Sequence, residues 1–85
     1  MGKYKIELKK SVQKFFESIP KKDLKRILLA IKSLADNPLP PQSKRLSGLE
    51  QYRIRQGDYR ILYSIEDDLL IVFVVAVGHR KEIYR

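Results

Sequence analysis

The chain has no cysteine, a single histidine, and no apolar run longer than the stretch from Leu69 to Val77. Without cysteine, disulfides and thiolate metal sites are excluded, and the composition suits a reducing cytosol. One histidine leaves no metal-ligand constellation and no serine-histidine hydrolytic pair, and Asp67-Asp68 read as turn formers. No G-x-G-x-x-G or Walker pattern occurs, so a Gly-rich phosphate loop is absent as well. The N-terminal Met-Gly-Lys-Tyr-Lys-Ile-Glu-Leu lacks the apolar h-region of a signal peptide. The run from Leu69 is far too short to span a bilayer, so we read a soluble, unexported, cytoplasmic protein with no membrane partner.

Acids are scarce beside bases. Ten Asp and Glu stand against 18 Lys and Arg, a formal net charge of +8 that makes a polyanion, nucleic acid first, the partner to consider. Excess lysine also keeps a small protein in solution, and Lys3, Lys5, Lys9, Lys10, Lys14, Lys21 and Lys22 fit either use. The 85 residues are read as one domain, 1–85. A globule of this size buries only about 60% of its unfolded surface, so binding to a partner is the remaining source of added stability.

Lys3, Lys5 and Glu7 alternate with Tyr4, Ile6 and Leu8, a period of two that predicts a short strand with one buried face. Ser11 offers an N-cap to a helix in which Val12, Phe15, Phe16 and Ile19 form one stripe ending before Pro20. A second stripe, Leu24, Ile27, Leu28, Ile31, Leu34 and Ala35, stops at Asn37-Pro38. Prolines 38, 40 and 41 make the connector to Gln42 stiff. From Gln51 the period of two returns in three strands, Gln51 to Gln56, Tyr59 to Glu66 and Leu69 to Val77, separated by tight turns at Gly57-Asp58 and Asp67-Asp68. The Val- and Ile-rich third run predicts a central strand covered on both faces. The expected architecture is α+β: a two-helix hairpin packed on a mostly antiparallel four-stranded sheet, in the order β-α-α-β-β-β, with Lys81 to Arg85 as a short tail.

A two-residue primed turn at Gly57-Asp58 sets the hairpin register, with Gln56 opposite Tyr59, Arg55 opposite Arg60, Ile54 opposite Ile61, Arg53 opposite Leu62 and Tyr52 opposite Tyr63. Ile54, Ile61, Tyr52 and Tyr63 then share a face suited to packing under the helices, and Arg53, Arg55 and Arg60 share the other. Like charges directly opposite destabilise a sheet by a few tenths of a kcal/mol up to about 1 kcal/mol. An anion held between them converts the repulsion into charge-assisted, bidentate hydrogen bonds, a better account of the pairing than a plain solvated face. A bend at Gly78 is expected to bring Arg80 and Tyr84 to the same cluster. His79, taken by itself, is read as an exposed or backbone-bonded residue ahead of a catalytic one.

Tyr52-Arg53-Ile54-Arg55, then Gly57-Asp58-Tyr59-Arg60-Ile61-Leu62-Tyr63, closed by Val77-Gly78-His79-Arg80-Lys81-Glu82-Ile83-Tyr84-Arg85, resembles the RelE/ParE toxin superfamily, most closely its RelE branch. The resemblance spans the whole element order and is most specific from Leu46 to Arg85. It implies a RelE-like toxin of a type II toxin-antitoxin system, an endoribonuclease that cleaves mRNA in the ribosomal A site by 2′-hydroxyl attack, without metal or cofactor, and so inhibits translation. Its implied partners are the ribosome with mRNA in the A site and a cognate antitoxin. The implied catalytic residues are Arg60, Arg80, Tyr84 and His79. Arg53 and Arg55 are the implied substrate-binding residues, and Lys44 and Arg45, on the approach to the sheet, are expected to join them in binding substrate. Where the best-known RelE pattern has lysine at the two strand positions, this chain has Arg53 and Arg55, which hold phosphate well but hardly act as a base. The proton acceptor is left between His79, if neutral, and Tyr84. The alternative is a ParE-like toxin that binds and inhibits DNA gyrase. An acidic or amphipathic antitoxin segment is expected to cover the arginine face, dock on the helices, or add a strand beside Lys3 to Leu8.

Overall fold

A computed structural model of the protein describes residues 3–46 and 50–79. The N-terminal alternation forms β1, Lys5–Leu8, and the two apolar stripes form α1, Lys10–Phe16, and α2, Lys21–Ser33. The C-terminal half holds β2, Lys44–Arg45, β3, Tyr52–Gln56, β4, Tyr59–Glu66, and β5, Ile71–His79. These strands make one sheet in the order β1-β5-β4-β3-β2, with β1 parallel to β5 and the other pairs antiparallel. The α+β architecture expected from the sequence is present, with β2 as a fifth strand. Two residues are too few to show a period, which is why β2 is not visible in the sequence.

The helices begin differently from expectation. Lys9, not Ser11, caps α1: its carbonyl accepts from the Val12 and Gln13 amides at 2.9 and 3.1 Å, and Ser11 lies exposed in the first turn. Pro20 precedes α2, and Asp23 in its first turn complements the positive end of the helix dipole. α1 packs against β5 and α2 against β3. Beneath them lies a single core of Val12, Ile27, Ile31, Leu34, Ile54, Tyr59, Ile61, Tyr63, Val72, Val74 and Val77.

The apolar run near the C-terminus is an inner strand, between β1 and β4, but is covered fully on one face only. Val72 and Val74 are completely buried, whereas Ile71 and Phe73 are half-buried on the side away from the helices. The strand also starts later than its composition suggests. Asp67 to Leu70 form a four-residue turn in which Leu70 adopts a positive φ of 54°, and Leu69 is 68% exposed. Between the pairs Leu62 with Ala76 and Tyr63 with Val74, Val75 is an extra residue, a β-bulge that reverses the alternation of β5 from that point. No helix among the described residues is long and apolar enough to cross a membrane.

Candidate nucleic-acid interface

The β3–β4 hairpin turns at Gly57-Asp58, where Gly57 has φ +60° and Asp58 does not share the positive φ, the sign pattern of a type II′ turn. An L side chain at Gly57 would be strained there, so glycine fixes the turn and the turn fixes the register. Every pair expected from the sequence is present, including Arg55 opposite Arg60. Paired residues share a face, so Ile54, Ile61, Tyr52 and Tyr63 lie toward the helices and Arg53, Arg55 and Arg60 lie away from them.

The strands on either side complete this surface. Lys44 of β2 pairs with Arg53 and joins the basic face, and on the other flank Arg60 pairs with Gly78, which leaves the space beside it without a side chain. Gln42, Lys44, Arg53 and Arg55 line an open cleft of about 250 Å³. Lys44 and Arg55 are exposed and Arg53 half-buried, but Arg60 is only 3% exposed. Its guanidinium keeps its charge at any accessible pH, and burial lowers the dielectric through which that charge acts. Glu66 is the one acid of β3 to β5 on this side, and it lies six residues from Arg60 along β4, roughly 20 Å away. Among the described residues, this face therefore gathers Lys44, Arg53, Arg55 and Arg60 at one end, on three adjacent strands.

Two expected members stand elsewhere. Arg45 pairs with Tyr52 and shares the helix side, lining a separate cavity of about 350 Å³ with Tyr4, Asn37, Leu39, Tyr52 and Asp67. His79 pairs with Tyr59, their ring centroids 5.0 Å apart, and it too lies on the helix side, in a pocket with Asp23, Arg26 and Asp58. The bulge at Val75 explains the second displacement: strict alternation from Val74 would put His79 on the arginine side, and the extra residue turns it over. β5 also continues through Gly78 to His79, so the expected bend does not occur within the strand. Arg80 and Tyr84 lie outside the described residues. Gln42 was not anticipated; a lone glutamine after two prolines gives no periodic signal, and only the folded turn brings it to the basic cleft.

Several phenols are tuned away from proton acceptance. Tyr59 donates to the Asp23 carboxylate at 2.8 Å, and this bond raises its pKa, as does burial. Tyr4 is raised by the same kind of bond to Asp67, at 2.7 Å. Tyr63, which donates to the Pro38 carbonyl at 2.6 Å, is pushed up to about 12 by burial. All three stay protonated near neutrality. Among the described residues, no three His, Cys, Asp or Glu side chains are grouped to hold a metal ion.

Comparison with known proteins gives a consistent picture. The model of the ParE toxin family of the type II toxin-antitoxin system, parDE, matches residues 4–84. The chain is 31% identical over 87 residues to a putative toxin RelE1 of Methanocaldococcus jannaschii, covering 98% of this chain and 97% of that protein. It is 29% identical over 86 residues to toxin RelG of Mycobacterium tuberculosis, covering 96% and 97% respectively. Among solved structures, the archaeal RelE-RelB complex from Pyrococcus horikoshii matches with a TM-score of 0.83 at 28% identity, over 94% of this chain and 98% of that one.

Proposed function

Since the chain belongs to the RelE/ParE toxin superfamily of type II toxin-antitoxin systems, with RelE toxins among its similar relatives, we propose that it is a metal-independent endoribonuclease that cleaves mRNA in the ribosomal A site. The observation that carries this reading is the convergence of Lys44, Arg53, Arg55 and Arg60 on one face from three neighbouring strands. An RNA phosphate seated between Arg55 and Arg60 meets guanidinium donors from both sides and relieves their mutual repulsion. The adjacent ribose 2′-hydroxyl attacks phosphorus, the bond to the 5′-oxygen breaks, and a cyclic phosphate is left on the upstream piece. Charge on the phosphoryl oxygens grows along this path, and fixed donors stabilise it more than they do the ground state.

The proton of the 2′-hydroxyl needs an acceptor. His79 faces the helices, which counts against it, and Tyr4, Tyr59 and Tyr63 are shifted in the wrong direction. Tyr52 shares the helix side with Tyr63, so Tyr84 is the proposed base, with Arg80 as a brace for the phosphate or leaving oxygen, both from the family resemblance. Water supplies the proton to the departing 5′-oxygen. Positioning by the ribosome then provides the alignment that a cluster without a finely tuned base lacks.

The partner in this reading is a cognate antitoxin, as relatives are known in complex with RelB. An amphipathic segment has an apolar groove to fill between β1 and α2, lined by Ile6, Leu8, Leu28 and Ile31, with Leu28 42% exposed. β1 is an edge of the sheet, open to an added strand.

The family model that matches carries the ParE name, which favours a second reading: a toxin that binds and inhibits DNA gyrase without cleaving RNA. Induction in cells separates the two. Primer extension on translated messages should show breaks within codons soon after induction, with plasmid supercoiling unchanged, and Arg60→Ala should abolish them. Lost supercoiling with intact messages would decide for the second reading.

A further inference from the structure

The basic cleft contains one side chain that offers more than an anion needs. Of its four lining residues, Lys44, Arg53 and Arg55 offer only donors, whereas the amide of Gln42 also offers an accepting oxygen. Phosphate oxygens only accept. An acceptor among donors therefore serves a ligand group that itself donates, and in RNA such groups are on the bases and the ribose hydroxyls.

Gln42 is also presented on a rigid support. Pro40, Pro41, Gln42 and Ser43 form a turn closed by the Ser43 amide donating to the Pro40 carbonyl at 2.9 Å, with Pro41 in the position where a fixed φ favours the turn. Lys44, two residues on, is held in the sheet by its pairing with Arg53. The backbone of so short and restrained a segment loses little freedom on binding, so the ordering cost is confined to the glutamine side chain itself. The cleft is one to two strand spacings from Arg60, on the order of 5–10 Å across the sheet, which suits a nucleotide next to the cleaved linkage and not the cleaved one itself.

We propose that Gln42 is a specificity-determining residue that reads the base of a nucleotide neighbouring the scissile phosphate, with adenine the favoured base, while Lys44, Arg53 and Arg55 hold the flanking phosphates. An amide pairs with a base edge that places an amino donor beside a ring-nitrogen acceptor; adenine offers that arrangement on both its Watson–Crick and Hoogsteen edges, whereas cytosine offers it on its Watson–Crick edge alone, which makes adenine the favoured base. An unpaired base held against this cleft can be read from either side.

This inference rests on the nuclease reading above, and the test keeps the two apart. Messages carrying each of the four bases, in turn, at the positions flanking a cleavage site are translated with the toxin present, and cleavage rates are measured by primer extension. Wild type should cleave fastest with adenine at one flanking position. Gln42→Ala should reduce that preference roughly tenfold while leaving the rates for the other three bases close to wild type. Lys44→Ala should slow all four alike. A Gln42→Ala enzyme with undiminished base preference, or one slowed equally for every base, overturns the assignment of Gln42 while the nuclease reading stands. Absence of cleavage by wild type in every message overturns both.

Discussion

The two faces of the sheet place opposite chemistry on the same strands. On β4, Ile61 is completely buried under the helices, and the residue before it, Arg60, lies on the face that gathers the cationic side chains of Lys44, Arg53 and Arg55. Burying one aliphatic side chain stabilises the fold by about 1.5–3 kcal/mol, the larger effect beside the roughly 0.2–1 kcal/mol typical of one cross-strand pair. The helix side thus stabilises the hairpin by more than a single like-charge pair on the other side takes away. Alternation along a strand separates the core-packing face from the basic face one residue at a time, so, on the proposed function, substitutions on each face should fail in different assays.

The largest contrast should come from truncating the core. Ile61→Ala should lower unfolding free energy by about 2–5 kcal/mol in urea denaturation, because the cavity sits where the sheet meets the helices. Arg55→Ala in the same assay should match wild type or gain a few tenths of a kcal/mol, since it removes a repulsion. Equal destabilisation by both would show that the faces are not separable. A smaller contrast concerns two basic residues close in sequence on opposite faces. In fluorescence anisotropy with a single-stranded oligoribonucleotide, Lys44→Ala should reduce the slope of log affinity against log salt by about 0.7, the share of one phosphate contact, and Arg45→Ala should leave it unchanged. Identical slopes for the two variants would remove the distinction.

The smallest effect belongs to the helix side alone. Tyr63 ionises at about 12 in the fold, above the usual tyrosine value near 10. Its raised pKa means that the stabilisation of the neutral phenol is complete below pH about 10 and is lost as pH rises toward 12. The urea midpoint of wild type should fall across that interval more steeply than that of Tyr63→Phe; parallel curves would contradict the role given to burial.

How much of this was legible depended on where local rules were strong. The hairpin register was readable because Gly57-Asp58 admits a two-residue turn, and that turn leaves one pairing for Arg55 and Arg60. The helices were readable from their stripes. The placement of His79 was not, since Val74-Val75-Ala76-Val77 is apolar throughout and carries no mark of which residue bulges. Arg45 was misplaced for a related reason: a two-residue strand has no pattern, and its facing comes only from pairing with Tyr52. Leu69 and Leu70 read as strand by composition, yet the turn after Glu66 needs four residues and takes them. Gln42 belongs to the cleft through tertiary proximity, which no local rule reports.

The most direct measurement is an NMR titration of the isotopically labelled protein with a short single-stranded oligoribonucleotide that lacks the 2′-hydroxyl at the cleavable position. Shifts should concentrate on the side-chain resonances of Lys44, Arg53, Arg55 and Arg60, with those of Arg45 and His79 nearly still. Perturbation centred instead on the helix side, around His79 and Asp23, would mean that RNA binds the other surface of the sheet.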